Sequence, residues 1–365
     1  MSSYREEEAQ KRRERIEKNR QKRSRRHGNK KNQKKNHRRQ IAAGICLVLI
    51  AAAGGGVYAV SMQHAQKNAE MISYEKANYS GSVFSADGLA ATSLCVAPEN
   101  TDEIQYSGTT DVHAAGLFDL NGANVLYSNQ IHDRLYPAST TKILTALLAL
   151  EKGNLSDVVT VGENAAASSF PADASLCGLQ EGDQLTLEDL LYGLLLSSGN
   201  DAATAIAEHI SGSEEAFVEE MNARAKELMA VNTHFTNPHG LHDVNHYTTA
   251  YDLYLIFNEC IKHEEFMDII SASSYTANVT GADGTARQLT WEPTNYYARG
   301  AAALPEGATV IGGKTGYTGD AGDCLVLLCE NDSGDQYISI VMGAADKPTL
   351  YEDMTALIDQ IPSLE

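Results

Sequence analysis

For residues 106–365 the sequence predicts an α/β (α+β) fold, with strands near both ends of that part and helices between them. Three observations carry this expectation. Apolar runs 114–120 and 124–127 flank Asn121-Gly122, a strong hairpin signal. Leucines recur at helical spacing through 143–150 and again through 187–195. Runs 324–329 and 337–342 face each other across Asp332-Ser333-Gly334-Asp335 and read as a second hairpin.

From the N-terminus, charge is the first organising feature. The first forty residues hold 17 Lys or Arg against 5 Glu, a local charge of +12, so the net −19 of the chain leaves −31 for residues 41–365. Residues 41–62 carry no charge and are rich in Ala, Val, Ile and Leu. About 20 such residues at 1.5 Å each cross a hydrocarbon core of roughly 30 Å. A basic flank stays on the cytoplasmic side, which predicts a single-pass membrane protein with its folded part outside. That span accounts for the basic block, so nucleic acid is not expected as a partner. A cleaved signal peptide is the competing reading, but the stretch exceeds the usual h-region of about 7–15 residues. Residues 1–40 are expected to be a disordered basic head, 41–62 a transmembrane helix and 63–105 a polar tether. There is no internal repeat.

After the first hairpin, Pro137 leads into a helix expected from Ser139 to about Lys152, apolar nearly all round and therefore buried. Ser139 and Lys142 lie three apart, one turn from each other on one helix face. Ser139 also sits at the helix start, where free N–H groups favour developing negative charge. Burial disfavours the ammonium form of Lys142 and fits it to act as a base. Ser73-Tyr74-Glu75-Lys76 has the same pattern, but it lies in the polar tether and lacks a buried helix.

A second helical face (Leu187, Leu190, Leu191, Leu194, Leu195), with Thr186 as its cap, ends at Ser198-Gly199-Asn200 before another helix resumes at Asp201. Ser198 and Asn200 therefore occupy an interhelical turn, where such residues are also ordinary turn formers. Next comes a β-branched, glycine-rich strand containing Lys314-Thr315-Gly316-Tyr317. It is not a phosphate loop, because position 308, where that motif needs glycine, is Ala308. At the C-terminus Leu350, Met354, Leu357, Ile358 and Ile361 predict a helix with a core-facing side.

Cys46 lies in the expected span. Cys95, Cys177, Cys260, Cys324 and Cys329 match no zinc ribbon and leave a disulfide possible but unassigned. His234, His239, His242 and His246 crowd one segment without a His-Glu-x-x-His pattern. They are expected to be ordinary surface or loop histidines; no metal and no cofactor is expected.

Pro137-Ala138-Ser139-Thr140-Thr141-Lys142, Ser198-Gly199-Asn200-Asp201-Ala202 and Gly313-Lys314-Thr315-Gly316 together resemble the active-site motifs of serine-type D-alanyl-D-alanine carboxypeptidases, the low-molecular-mass penicillin-binding proteins. The connecting segments 217–222, 236–241 and 317–322 are similar to the family as well, and the likeness extends over about residues 110–345. It implies a β-lactamase/transpeptidase-like fold: an antiparallel sheet flanked by helices, with an all-helical subdomain.

By this resemblance Ser139 is the nucleophile and Lys142 its base. Ser198 relays a proton to the leaving group, and Asn200 orients Lys142 and the substrate amide. Lys314 and Thr315 bind the terminal carboxylate, Gly316 lets the strand come close, and Ser139 and Tyr317 supply oxyanion-hole N–H groups. Arg299 is a further candidate for the carboxylate. The implied substrate is a peptidoglycan stem pentapeptide, and β-lactams are the implied covalent inhibitors. Many relatives add a C-terminal β-rich domain and an amphipathic anchor; the sequence ends at Glu365, and the 41–62 span is expected to serve as anchor instead. A DD-endopeptidase and a sensor of β-lactams or muropeptides without turnover are the alternatives. A β-lactamase is disfavoured because no Glu-x-x-Leu-Asn lies between Asn200 and Lys314.

Overall fold

Alternation along two strands sets the architecture. In the run Cys324–Cys329, Cys324, Val326 and Leu328 join one buried cluster, while Leu325, Leu327 and Cys329 join another. Side chains of a strand point alternately to opposite faces, so such a strand must be covered on both sides.

The computed structural model describes Lys18, residues 94–96 and 101–102, and residues 112–361. The chain divides into two units, Met1–Asp87 and Gly88–Glu365, and the second contains nearly everything described. The expected basic head (apart from Lys18), the 41–62 span and the Ser73–Lys76 pattern lie outside the described residues. No helix among the described residues is long and apolar enough to cross a membrane.

The main sheet has six strands: β1 (Thr101–Asp102), β2 (Ala114–Asp119), β3 (Asn124–Asn129), β8 (Thr309–Thr318), β9 (Gly322–Glu330) and β10 (Gln336–Ala344). Their order is β1-β3-β2-β10-β9-β8, and every neighbouring pair is antiparallel. Both hairpins expected from the sequence are present. The Asp119 carboxylate accepts from the N–H groups of Asn121 (2.9 Å) and Gly122 (3.1 Å), which shapes the first turn. Part of the stretch read as tether belongs to this unit. Thr101–Asp102 pairs with β3, and Cys95 is fully buried with its N–H donated to the Tyr254 hydroxyl at 2.8 Å.

One face of the sheet is covered by the C-terminal helix, here α7 (Lys347–Ile358), through Leu350, Met354, Leu357 and Ile358. Asp346 caps it, and Pro348 stands in the first turn, where its missing N–H costs nothing. The other face carries α1 (Lys142–Lys152), α2 (Leu187–Leu195), α3 (Asn200–Ser211), α4 (Glu214–Glu227), α5 (Ala250–Cys260) and α6 (Glu264–Ser271). Thr186 and Asp189 form a full capping box on α2, as the expected cap implies.

The helical part also holds a second sheet, β4 (Val158–Thr160), β5 (Gln184–Thr186), β6 (Tyr275–Thr280) and β7 (Ala286–Trp291), in that order. The subdomain is therefore not wholly helical. All five cysteines named above are free thiols in buried positions, so no disulfide links them.

Candidate active site

The turn that holds Ser139 differs from the continuous helix expected from that residue. Residues Ala138–Thr141 form a 3-10 turn, and α1 begins only at Lys142. The two threonines explain the tightening. Thr140 Oγ1 donates to the Pro137 carbonyl (2.7 Å) and Thr141 Oγ1 to the Ala138 carbonyl (2.8 Å), which favours bonds over three residues rather than four. With three residues per turn, positions 139 and 142 eclipse, and the Lys142 amine comes within 3.0 Å of Ser139 Oγ.

Lys142 is fully buried. Its Nζ donates to Asn200 Oδ1 at 2.7 Å and to the His239 carbonyl at 2.6 Å. Burial, and after it the charge of Lys314, hold this amine well below the usual lysine range. In the free-base form two N–H bonds are taken by these two acceptors. The remaining tetrahedral position, a lone pair, faces the Ser139 hydroxyl. That is the geometry of a base beside its nucleophile.

The second motif lies between α2 and α3. Ser198 is held at φ +60°, uncommon for a residue with a side chain, and Asn200 opens α3. A Cβ on Gly199 would come within 2.1 Å of Cys177 Sγ, so only glycine leaves room for that thiol. The buried Asp201 carboxylate accepts the N–H groups of Cys177, Gly178 and Leu179 at 2.8–3.1 Å and pins this loop against the motif.

The third motif is on β8, the edge strand of the main sheet. Lys314, 1% exposed, donates to Ser198 Oγ at 2.9 Å and to the Thr315 carbonyl at 2.8 Å. Burial lowers its pKa to about 7. Thr315 Oγ1 is 2.6 Å from Thr294 Oγ1. A Cβ on Gly316 would stand 2.9–3.1 Å from the Pro137 carbonyl and from the Ser139 and Thr140 nitrogens, so β8 meets the Ser139 turn there. Tyr317 is 62% exposed at the mouth. Ser139, Ser198, Asn200, His239, Thr315 and Tyr317 share one open cleft. Every predicted site residue except Arg299 thus falls on one constellation; Arg299 is exposed and does not line the cleft.

The structure adds groups that the motifs do not contain. The segment 234–248 is a loop, as expected, yet His239 (7% exposed) and His246 (1%) are buried rather than on the surface. They are recruited as structure: His239 lends its carbonyl to Lys142, and His246 bonds Thr141 through Nε2 at 2.8 Å. Burial pushes both imidazoles down to about 3, so both are neutral at pH 7. Gly240, at φ +89°, packs directly on the Ala138 carbonyl. In the sequence the Asn237-Pro238-His239-Gly240 run marks a turn and resembles the family's connecting segment, but neither signal assigns its groups a place beside Lys142.

The sequence profile described as D-alanyl-D-alanine carboxypeptidase matches residues 100–346. The D-alanyl-D-alanine carboxypeptidase DacF of Bacillus subtilis is 35% identical over 257 residues, which cover 68% of this chain and 61% of that protein. This chain thus spans less than two thirds of that relative. Among solved structures, the Streptomyces K15 DD-transpeptidase superposes with a TM-score of 0.64 at 30% identity, covering 69% of this chain and 97% of the other. Penicillin-binding protein 5 of Haemophilus influenzae gives 0.60 at 31% identity, covering 73% and 71%. On the extent of the profile match and the likeness to these folds, the chain belongs to the D-alanyl-D-alanine carboxypeptidase family.

Proposed function

We propose that this protein is a serine DD-carboxypeptidase that removes the terminal D-alanine from peptidoglycan stem pentapeptides and is inhibited covalently by β-lactams. One observation carries the reading. A fully buried lysine amine has two N–H bonds engaged by fixed acceptors and its third direction aimed at Ser139 Oγ.

In this mechanism Ser139 Oγ attacks the carbonyl carbon of the penultimate D-alanine and its proton passes to Lys142 Nζ. The oxyanion is met by the Ser139 N–H and by the N–H of Tyr317. As the C–N bond breaks, Ser198 relays to the departing amine the proton that Lys142 took, so that Ser198 is again a hydroxyl and Lys142 again a free amine. Lys314 and Thr315 hold the carboxylate of the leaving residue. Water then cleaves the ester and regenerates Ser139. A β-lactam follows the same first step, but its amine remains tethered to the acyl group, so the adduct persists. Residues 41–62 are proposed to anchor the enzyme with its cleft outside the cell membrane, on the charge asymmetry of the sequence alone.

The test is D-alanine release from a pentapeptide, with a crosslinked dimer offered in parallel. The wild type is expected to release D-alanine and Ser139→Ala to release none. Release that survives in Ser139→Ala refutes the nucleophile. Preference for the dimer makes the enzyme an endopeptidase, and labelling without release makes it a sensor.

A further inference from the structure

The hydrogen bonds around His246 have a fixed direction. The backbone N–H of Thr236 points at Nδ1 at 3.0 Å. A backbone N–H only donates, so Nδ1 is the bare nitrogen and Nε2 carries the hydrogen. The Thr236 hydroxyl, 3.2 Å from Nδ1, is also able to donate there. The Nε2–H then faces Thr141 Oγ1 at 2.8 Å, and Thr141 passes its own hydrogen to the Ala138 carbonyl at 2.8 Å. The ring is 1% exposed and packs edge-on against Phe235, with centroids 5.3 Å apart. Every polar atom of the imidazole is committed to this chain of bonds.

The far end of the chain is not a neutral place. Ala138 is held at φ +48°, a conformation that residues with a Cβ rarely adopt, immediately before the nucleophile. Its carbonyl belongs to the same rigid peptide plane as the Ser139 N–H. Fixing the direction of that oxygen therefore fixes the direction of the N–H on the opposite side.

We propose that His246 is a positioning residue for acylation: through Thr141 it holds the Ala138–Ser139 peptide plane and so aims the Ser139 N–H at the developing oxyanion. The inference rests on the reading of Ser139 as nucleophile. It assigns His246 a task that none of the three motifs carries, since the ring touches neither Ser139 nor Lys142 by any bond described above.

The experiment measures penicillin acylation and non-covalent penicillin binding in the full chain carrying His246→Phe, His246→Gln, Thr141→Val, or His246→Phe with Thr141→Val. The amide nitrogen of glutamine overlies Nε2, so His246→Gln keeps the donor to Thr141. Expected are acylation rates about 10- to 100-fold lower in His246→Phe and in Thr141→Val, with binding changed less than about 3-fold. The double variant should be no slower than the worse single variant, because both cut one chain. His246→Gln should recover to within about 3-fold of the wild type. In the wild type, ¹⁵N spectra should show the Nε2–H tautomer. Unchanged acylation in folded Thr141→Val, effects that multiply in the double variant, or an Nδ1–H tautomer would overturn the proposal. A wild type that penicillin fails to label would instead count against the site reading itself.

Discussion

The proposed mechanism gives opposite needs to two lysines buried behind one cleft. In that mechanism Lys142 must be a free amine to take a proton, whereas Lys314 must be an ammonium to hold a carboxylate. Burial lowers both, and Lys142 also feels the charge of Lys314. Activity should rise with pH as Lys142 loses its proton, then fall as Lys314 loses its own near about 7. The profile of kcat/KM is therefore expected to be bell-shaped, reporting the free enzyme. Lys314→Arg, with a guanidinium that stays charged, should carry the alkaline limb upward by more than about two pH units while leaving the acid limb in place. An alkaline limb that stays put would detach it from Lys314. At this scale the sequence was informative where chemistry is local: Ser139 and Lys142 are three apart, and their pairing follows from spacing and burial. It was silent where a residue works through its backbone. Nothing in the letters His239 announces a carbonyl bound to Lys142, and nothing in Ala138 announces a positive φ.

Elements meet at glycines. Gly240 sits at φ +89°, and a Cβ there would stand 1.9 Å from the Ala138 carbonyl oxygen. Gly212, which ends α3 at φ +81°, has nothing within 4 Å of the same position. The pair separates strain from collision. Gly212→Ala should cost about 1 kcal/mol, roughly 3 °C of Tm in a unit of this size, and leave penicillin acylation unchanged. Gly240→Ala adds overlap with the nucleophile turn and should cost about 3 kcal/mol, with acylation at least about tenfold slower. Equal rates in the two variants would mean that the 236–241 loop does not support the turn. The elements around the motifs were legible in the sequence: the leucine spacings give α1 and α2, and the two hairpins give β2–β3 and β9–β10. The small sheet was not. Its strands β4 and β5 have three residues each, and β5 finds β6 through Gln184 opposite Thr280, a pairing too distant in sequence for local pattern to reveal.

Across the folded unit, the six-stranded sheet separates two clusters of different purpose. The face toward α7 holds an apolar cluster that fixes the C-terminal helix. The opposite face joins the helices that deliver Lys142, Ser198 and Asn200 to the β8 edge. Three segments spread over about 175 residues thus converge because one edge strand is left free for them. The central claim, that this convergence makes Ser139 an acyl carrier and leaves the Ser73 pattern inert, has a direct measurement. The full chain is incubated with benzylpenicillin, its intact mass is recorded, and the adduct is mapped by peptide digestion. The account predicts one penicilloyl group per chain, on the peptide containing Ser139, and none in Ser139→Ala. No adduct on the folded wild type, or an adduct on the peptide containing Ser73, would contradict it.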